Sequence, residues 1–283
     1  MELFDNHAHY NDEKFENDRD EIIKKIYESG VTKFICAGYS LESSKKALEI
    51  ANNYDFIYTI AGISPNDIPG RFEGEVEDEK LDGKSDEETE QIFTESLKIV
   101  DKQLEEIEKI AQLKKVVAIG EIGLDYHWNT RNKDLQKKVF IKQIELANRL
   151  NMPIVIHTRD AVMDTLDILK NICPVVKPGV FHCCPLNVEL VKEALKLGFY
   201  ISFAGPVTFK NSKNAEEIVK MVPLDKMLIE TDSPYLAPEP VRGSRNDSRN
   251  VRYIAEKIAE FRGVDVEVVA EATYKNALRV FEI

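Results

Sequence analysis

The chain has 283 residues, of which 43% are hydrophobic and 31% charged; that supplies a large core, and its regularly spaced apolar runs exclude a mainly disordered protein. Lys and Arg number 38 against 50 Asp and Glu, a formal net charge of −12, which excludes tight non-specific nucleic-acid binding through a broadly basic surface. No apolar stretch approaches the roughly 20 residues of a membrane helix, so a cytoplasmic protein with no membrane partner and no obligate protein partner is expected.

The chain opens on Met1-Glu2-Leu3-Phe4-Asp5, which reads as an acidic strand and not as a signal peptide. Short runs rich in Val, Ile and Phe then recur between helical patterns. They begin at Leu3-Phe4, Lys33 to Cys36, Phe56 to Ile60 and Val116 to Ile119, and continue at Ile154 to Ile156, Gly179 to Phe181, Phe199 to Ser202 and Met227 to Ile229. Between them, residues 17–29 place Ile22, Ile23 and Ile26 on one helical face, and residues 132–150 do the same with Leu135, Val139, Ile144, Ala147 and Leu150. Eight strands that alternate with helices and are apolar on both faces predict an α/β fold, a closed TIM (β/α)8 barrel in a single domain over 1–283. Two segments break the rhythm. Residues 70–91 are dense in acid and read as an exposed insertion before a helix at 92–112, and residues 236–248, with Pro238, Pro240 and Gly243, read as a loop at the barrel mouth. The four cysteines, at 36, 173, 183 and 184, lack Cys-x-x-Cys spacing and are expected to be reduced thiols.

Chemistry gathers at the ends of the apolar runs. His7 and His9 follow the first run, and residues i and i+2 of a strand share a face, so both imidazoles can grip one ion. Glu121 follows the fourth run, His157 the fifth, His182 the sixth and Asp232 the eighth. Any one of these has a bland reading, as a core histidine or a helix cap. Together they point to one rim, because the carboxyl ends of all strands of a closed barrel converge there. Imidazoles and carboxylates without a cysteine set suit Zn²⁺, Mn²⁺ or Mg²⁺, and six such groups exceed the needs of one ion. Two divalent ions are expected, with Glu121 as the bridge between them.

The stretches Asp5-Asn6-His7-Ala8-His9, Gly120-Glu121-Ile122-Gly123-Leu124-Asp125-Tyr126, His157-Thr158-Arg159-Asp160-Ala161, Phe181-His182-Cys183 and Glu230-Thr231-Asp232-Ser233-Pro234-Tyr235-Leu236 resemble the TatD family of metal-dependent deoxyribonucleases. The resemblance runs in order from residue 2 to about 280. It implies a hydrolase of the amidohydrolase superfamily, with His7, His9, Glu121 and Asp232 on one ion and Glu121, His157 and His182 on the other. It also implies that Asp232 orients and deprotonates a metal-activated water that cleaves the phosphodiester of a DNA strand end or short oligonucleotide from the 3′ side. Arg159 and Arg245 are the expected phosphate contacts, each with an ion pair to a neighbouring acid as its alternative. Two departures stand out. Ser64 and Asn66 occupy positions where the family usually has histidines, and Gly243-Ser244-Arg245-Asn246-Asp247-Ser248 lacks the usual Glu-Pro. The metal ring alone does not separate phosphorus from carbon, which keeps an aminoacyl-ester or amide hydrolase open, and the missing histidines keep open a metal-binding scaffold without turnover. His127 is expected to be exposed or structural, with an outer contact at the site as its alternative.

Overall fold

The computed structural model describes residues 1–68, 85–128 and 131–283. Eight strands form one parallel sheet in sequence order: β1 (Leu3–Ala8), β2 (Val31–Ala37), β3 (Ile57–Ala61), β4 (Val116–Asp125), β5 (Ile154–Arg159), β6 (Val180–Phe181), β7 (Tyr200–Phe203) and β8 (Met227–Ile229). The seam between β1 and β8 is closed by fewer bonds. Asp232 N donates to His7 O at 2.9 Å, His9 N to Ser233 O at 2.6 Å, and the buried Asp5 carboxylate accepts from Thr231 N at 2.9 Å. The expected eight-stranded barrel is present.

Helices separate the strands as the apolar periodicity predicts: α1 (Arg19–Glu28), α2 (Leu41–Asn52), α3 (Asp86–Ala111), α4 (Lys133–Leu150), α5 (Val162–Asp167), α6 (Val188–Lys196), α7 (Ala215–Met221), α8 (Val251–Arg262) and α9 (Val266–Phe281). One boundary differs from the expectation. The helix expected at 92 starts at Asp86, so the end of the acidic stretch is helical. Ser85 caps it by accepting from Glu88 N at 3.2 Å while the Glu88 carboxylate accepts from Ser85 N at 2.8 Å. Carboxylates in the first turn also favour the positive end of the helix dipole, so a run of acids that reads as loop is compatible with a helix start. The expected insertion before this cap, residues 70–84, lies outside the described residues.

Two apolar layers result. Inside the barrel, every strand contributes to a single cluster, with Phe4, Ile35, Ala37, Ile60, Ala118, Val155, Val180, Tyr200 and Leu228, plugged by Val280 and Phe281 of α9. The other strand faces, including Phe34, Ile57, Ile154 and Ile201, pack with the helices in a larger cluster. The interior layer matters for function because it forms a dry floor on which the next layer stands.

Candidate metal centre

Two residues beyond the floor, on the same strand faces, lie Asn6, His157, His182, Ser202 and Glu230. Strand alternation thus places a polar layer directly above an apolar one. Two ladder irregularities complete it. The β1–β2 register shifts between Asp5 and Ala8, and the β4–β5 register shifts between Ile119 and Ile122. Such interruptions re-aim side chains; here they fall at His7 and Glu121. Neighbours Asn6 and His7 both reach the interior: Asn6 Nδ2 donates to Ser202 Oγ at 2.8 Å, while His7 faces Glu121.

Glu121 is the hub. Its Oε2 lies 3.4 Å from His7 Nε2 and 3.8 Å from His9 Nε2, and its Oε1 lies 3.1 Å from His157 Nδ1 and 3.3 Å from His182 Nε2. Asp232 approaches on the first side, with Oδ1 3.2 Å from His9 Nε2 and 3.9 Å from His7 Nε2. It sits in the left-handed region at φ 56°, a conformation that Asp tolerates better than most residues, and this turns its carboxylate inward. Three overlapping groups therefore have spacings that could hold a metal ion: His7, His9 and Glu121; His7, His182 and Asp232; and Glu121, His157 and His182.

The far nitrogens of three rings are fixed by acceptors. His157 Nε2 lies 2.9 Å from Asp125 Oδ2, His182 Nδ1 lies 3.1 Å from Glu230 Oε1, and His9 Nδ1 lies 3.2 Å from Ala37 O. Carboxylates and carbonyls only accept, so those nitrogens carry the protons and the inward nitrogens present lone pairs. His157 Nδ1 and His182 Nε2 are 3.3 Å apart, each beside the same carboxylate oxygen. Lone pairs and a carboxylate converging this closely need a cation among them, and neutral imidazole with carboxylate is the donor set of a divalent metal. The residues fit such an ion.

Without a metal, protons answer the same demand. Burial alone lowers an imidazole's pKa, but the hydrogen bonds to Asp125 and Glu121 outweigh it and hold His157 up at about 9. His182 is likewise opposed by burial yet raised well above its ordinary value by Glu121 and Glu230. Burial alone would raise the Glu121 carboxyl; the charge of His182 and hydrogen bonds from His157, His182 and His7 hold it well below the usual carboxylate range. Asp232 is also lowered, its burial outweighed by His9. The Cys183 thiol at the cavity wall is pushed well above its ordinary value by burial, and the charge of Asp232 adds to this.

The model of the TatD-related DNase family matches residues 4–282. This chain belongs to that family. A Bacillus subtilis protein described as the uncharacterized metal-dependent hydrolase YabD is 40% identical over 281 residues, 99% of each chain. The 3′-5′ ssDNA/RNA exonuclease TatD of Escherichia fergusonii is 29% identical over 286 residues, again 99% of each chain. In fold, the chain is similar to the crystal structure of YJJV, a TatD homologue from Escherichia coli K12, with a TM-score of 0.82 over 99% of this chain and 98% of that one at 23% identity. As a TatD-family protein the chain is an enzyme of the metal-dependent hydrolase class.

In this TatD-related chain the six expected side chains meet at the carboxyl end of the barrel, and the cavity above them encloses about 960 Å³. Arg159 lines that cavity, two residues beyond His157 on β5, and has no ion-pair partner among the described residues. Arg245 is elsewhere. Its guanidinium grips Asp18 with bonds of 2.9 and 2.5 Å and donates to Lys14 O at 2.7 Å, so the ion-pair alternative is the one present, away from the cavity lining. Ser64 Oγ donates to Asp67 Oδ2 at 2.6 Å and Asn66 Nδ2 to Asp125 Oδ2 at 3.2 Å. His127 is exposed, with Nδ1 3.2 Å from Asp160 Oδ2.

Sequence reasoning assigned no role to Asp125 or Glu230, the two acids that hold ligand-type rings. Glu230 Oε1 also accepts from Cys183 N at 2.6 Å, and its Oε2 from Ser202 Oγ at 2.5 Å. Asp125 Oδ1 accepts from His127 N at 2.9 Å. Both were within reach of the alternation rule: Glu230 lies two residues past Leu228 and Asp125 four past Glu121.

Proposed function

We propose that the protein hydrolyses phosphodiester bonds of nucleic acid with two divalent ions, removing residues from the 3′ end of single-stranded DNA or a short oligonucleotide. The observation that carries this reading is the division of labour at Glu121, whose two oxygens serve two separate sets of rings. In this reading His7, His9, Asp232 and Glu121 hold one ion, and Glu121, His157 and His182 hold the other. Bound there, a pair of divalent ions lowers the pKa of a water and neutralises charge on nonbridging phosphate oxygens.

The chain's own residues do the rest. Asp232 is ionised by the field of His9 despite its burial, and its carboxylate faces the cavity, so it orients a water and takes its proton. Asp125 and Glu230 hold His157 and His182 in the required tautomers. Arg159, exposed at the mouth and unpaired among the described residues, receives the phosphate of the scissile or adjacent nucleotide. The acidic surface of a chain with net charge −12 disfavours long polyanions, which fits a strand end better than an internal duplex site. The named activity of the Escherichia fergusonii relative supports the same direction and substrate.

The test is a panel. Protein reconstituted with Zn²⁺, Mn²⁺ or Mg²⁺ is incubated with labelled single-stranded DNA, an aminoacyl ester and a simple amide. Shortening of the DNA from its 3′ end is expected. Release of an ester or amide product with intact DNA overturns the phosphodiester assignment, and metal binding without turnover on any substrate overturns hydrolysis.

A further inference from the structure

One wall of the cavity above the candidate metal centre carries a large apolar side chain in the open. Trp128 is the sole tryptophan of the chain, is 62% exposed and lines the cavity together with His157 and Arg159. An indole left this exposed forgoes most of the stabilisation of burial, which is unusual unless a ligand covers it.

The ring is also positioned. Asp125 holds both the centre and the wall: Oδ2 faces His157 Nε2 at 2.9 Å, while Oδ1 accepts from His127 N at 2.9 Å and Trp128 N at 3.3 Å. The His127 ring and the indole are T-shaped at 88° with centroids 4.7 Å apart, and the Arg159 guanidinium lies 5.4 Å from the indole centroid. Arg159 and His157 share a strand face two residues apart, roughly 6.6 Å along β5. The indole, a cation and a ligand-type histidine therefore follow one another out of the cavity at about the scale of a nucleotide.

We propose that Trp128 is a stacking platform for a nucleobase next to the cleaved phosphodiester, with Arg159 holding the phosphate between the base and the metal centre. This inference rests on the phosphodiesterase reading and adds a consequence to it. Stacking on an aromatic face needs an unpaired base and tolerates any base. The subsite thus selects single strands over duplex, and nucleic acid over phosphodiesters that lack a base, without reading sequence.

The lone tryptophan makes the test direct. Metal-loaded full-length protein is titrated with a hydrolysis-resistant phosphorothioate oligodeoxythymidylate, and with the same oligomer carrying abasic sugars at its 3′ end, while intrinsic fluorescence is read. Saturable quenching by the first, and binding at least about 10-fold weaker by the second, are expected. In parallel, Trp128→Ala should raise KM for single-stranded DNA about 10- to 100-fold, and Trp128→Phe should restore most of the loss. Equal binding of normal and abasic oligomers, or DNA cleavage with an unchanged Trp128→Ala KM, overturns the platform and leaves the phosphodiesterase reading standing. Base-dependent quenching with no turnover in any metal upholds the platform and overturns that reading instead.

Discussion

Glu230 and His182, 48 residues apart in the chain, meet at 3.1 Å with the carboxylate facing the imidazole Nδ1, and both are buried. That contact turns the opposite nitrogen of His182 toward Glu121. An acid just past the eighth strand thereby sets the tautomer of a ring just past the sixth.

Glu230→Gln should weaken metal affinity about 10- to 100-fold while leaving the barrel folded, because the amide keeps the shape but loses the charge that orients the ring. Competition with a chromogenic chelator reads the affinity, and circular dichroism checks the fold. Unchanged affinity would remove Glu230 from the centre.

Asp232→Asn should lower turnover by about 10²- to 10⁴-fold at saturating metal, since an amide cannot take a proton from water. Equal rates for variant and wild type would take the proton-accepting role away from Asp232.

Metal binding should tighten as pH rises toward about 9. In the metal-free protein His157 keeps its second proton up to about pH 9, and a metal ligand must give that proton up. Calorimetry in buffers of different ionisation enthalpy should show proton release at neutral pH. The same shift affects folding of the metal-free protein. The folded pKa lies above the ordinary value of 6.5, so this contribution is full below pH 6.5 and is lost as pH rises through about 9. Loading with metal should flatten that dependence, and thermal melts of the two forms across this window compare them.

The two arginines should separate cleanly. Arg159→Ala is expected to raise KM for single-stranded DNA about 10-fold or more through loss of a charged phosphate contact. Arg245→Ala removes a half-exposed pair with Asp18 and should cost about 1 kcal/mol of stability or less, with KM unchanged. A rise in KM for Arg245→Ala would return that residue to the substrate.

Much of this site follows from local order. Apolar runs at strand period and helical faces between them announce eight βα units, and histidines and acids at the ends of those runs announce the rim. Strand alternation is a property of the chain itself, so it survives without knowledge of neighbours, and it contained Asp125 and Glu230 as well. The start of α3 was also local: Ser85 and Glu88 carry the capping pattern that the surrounding acid obscured.

Distances between strands are another matter. Alternation assigns a side chain to a face, but the sliding of one strand against the next and the interruptions at His7 and Glu121 decide which Glu121 oxygen each ring meets. Arg245 shows the same limit, because its partner Asp18 lies 227 residues away and is brought to it only when the first and last parts of the chain fold together. The order and facing of the groups were written in the sequence; their partners were chosen by packing, since hydrogen bonds and ion pairs act over a few ångströms that only the closed barrel defines.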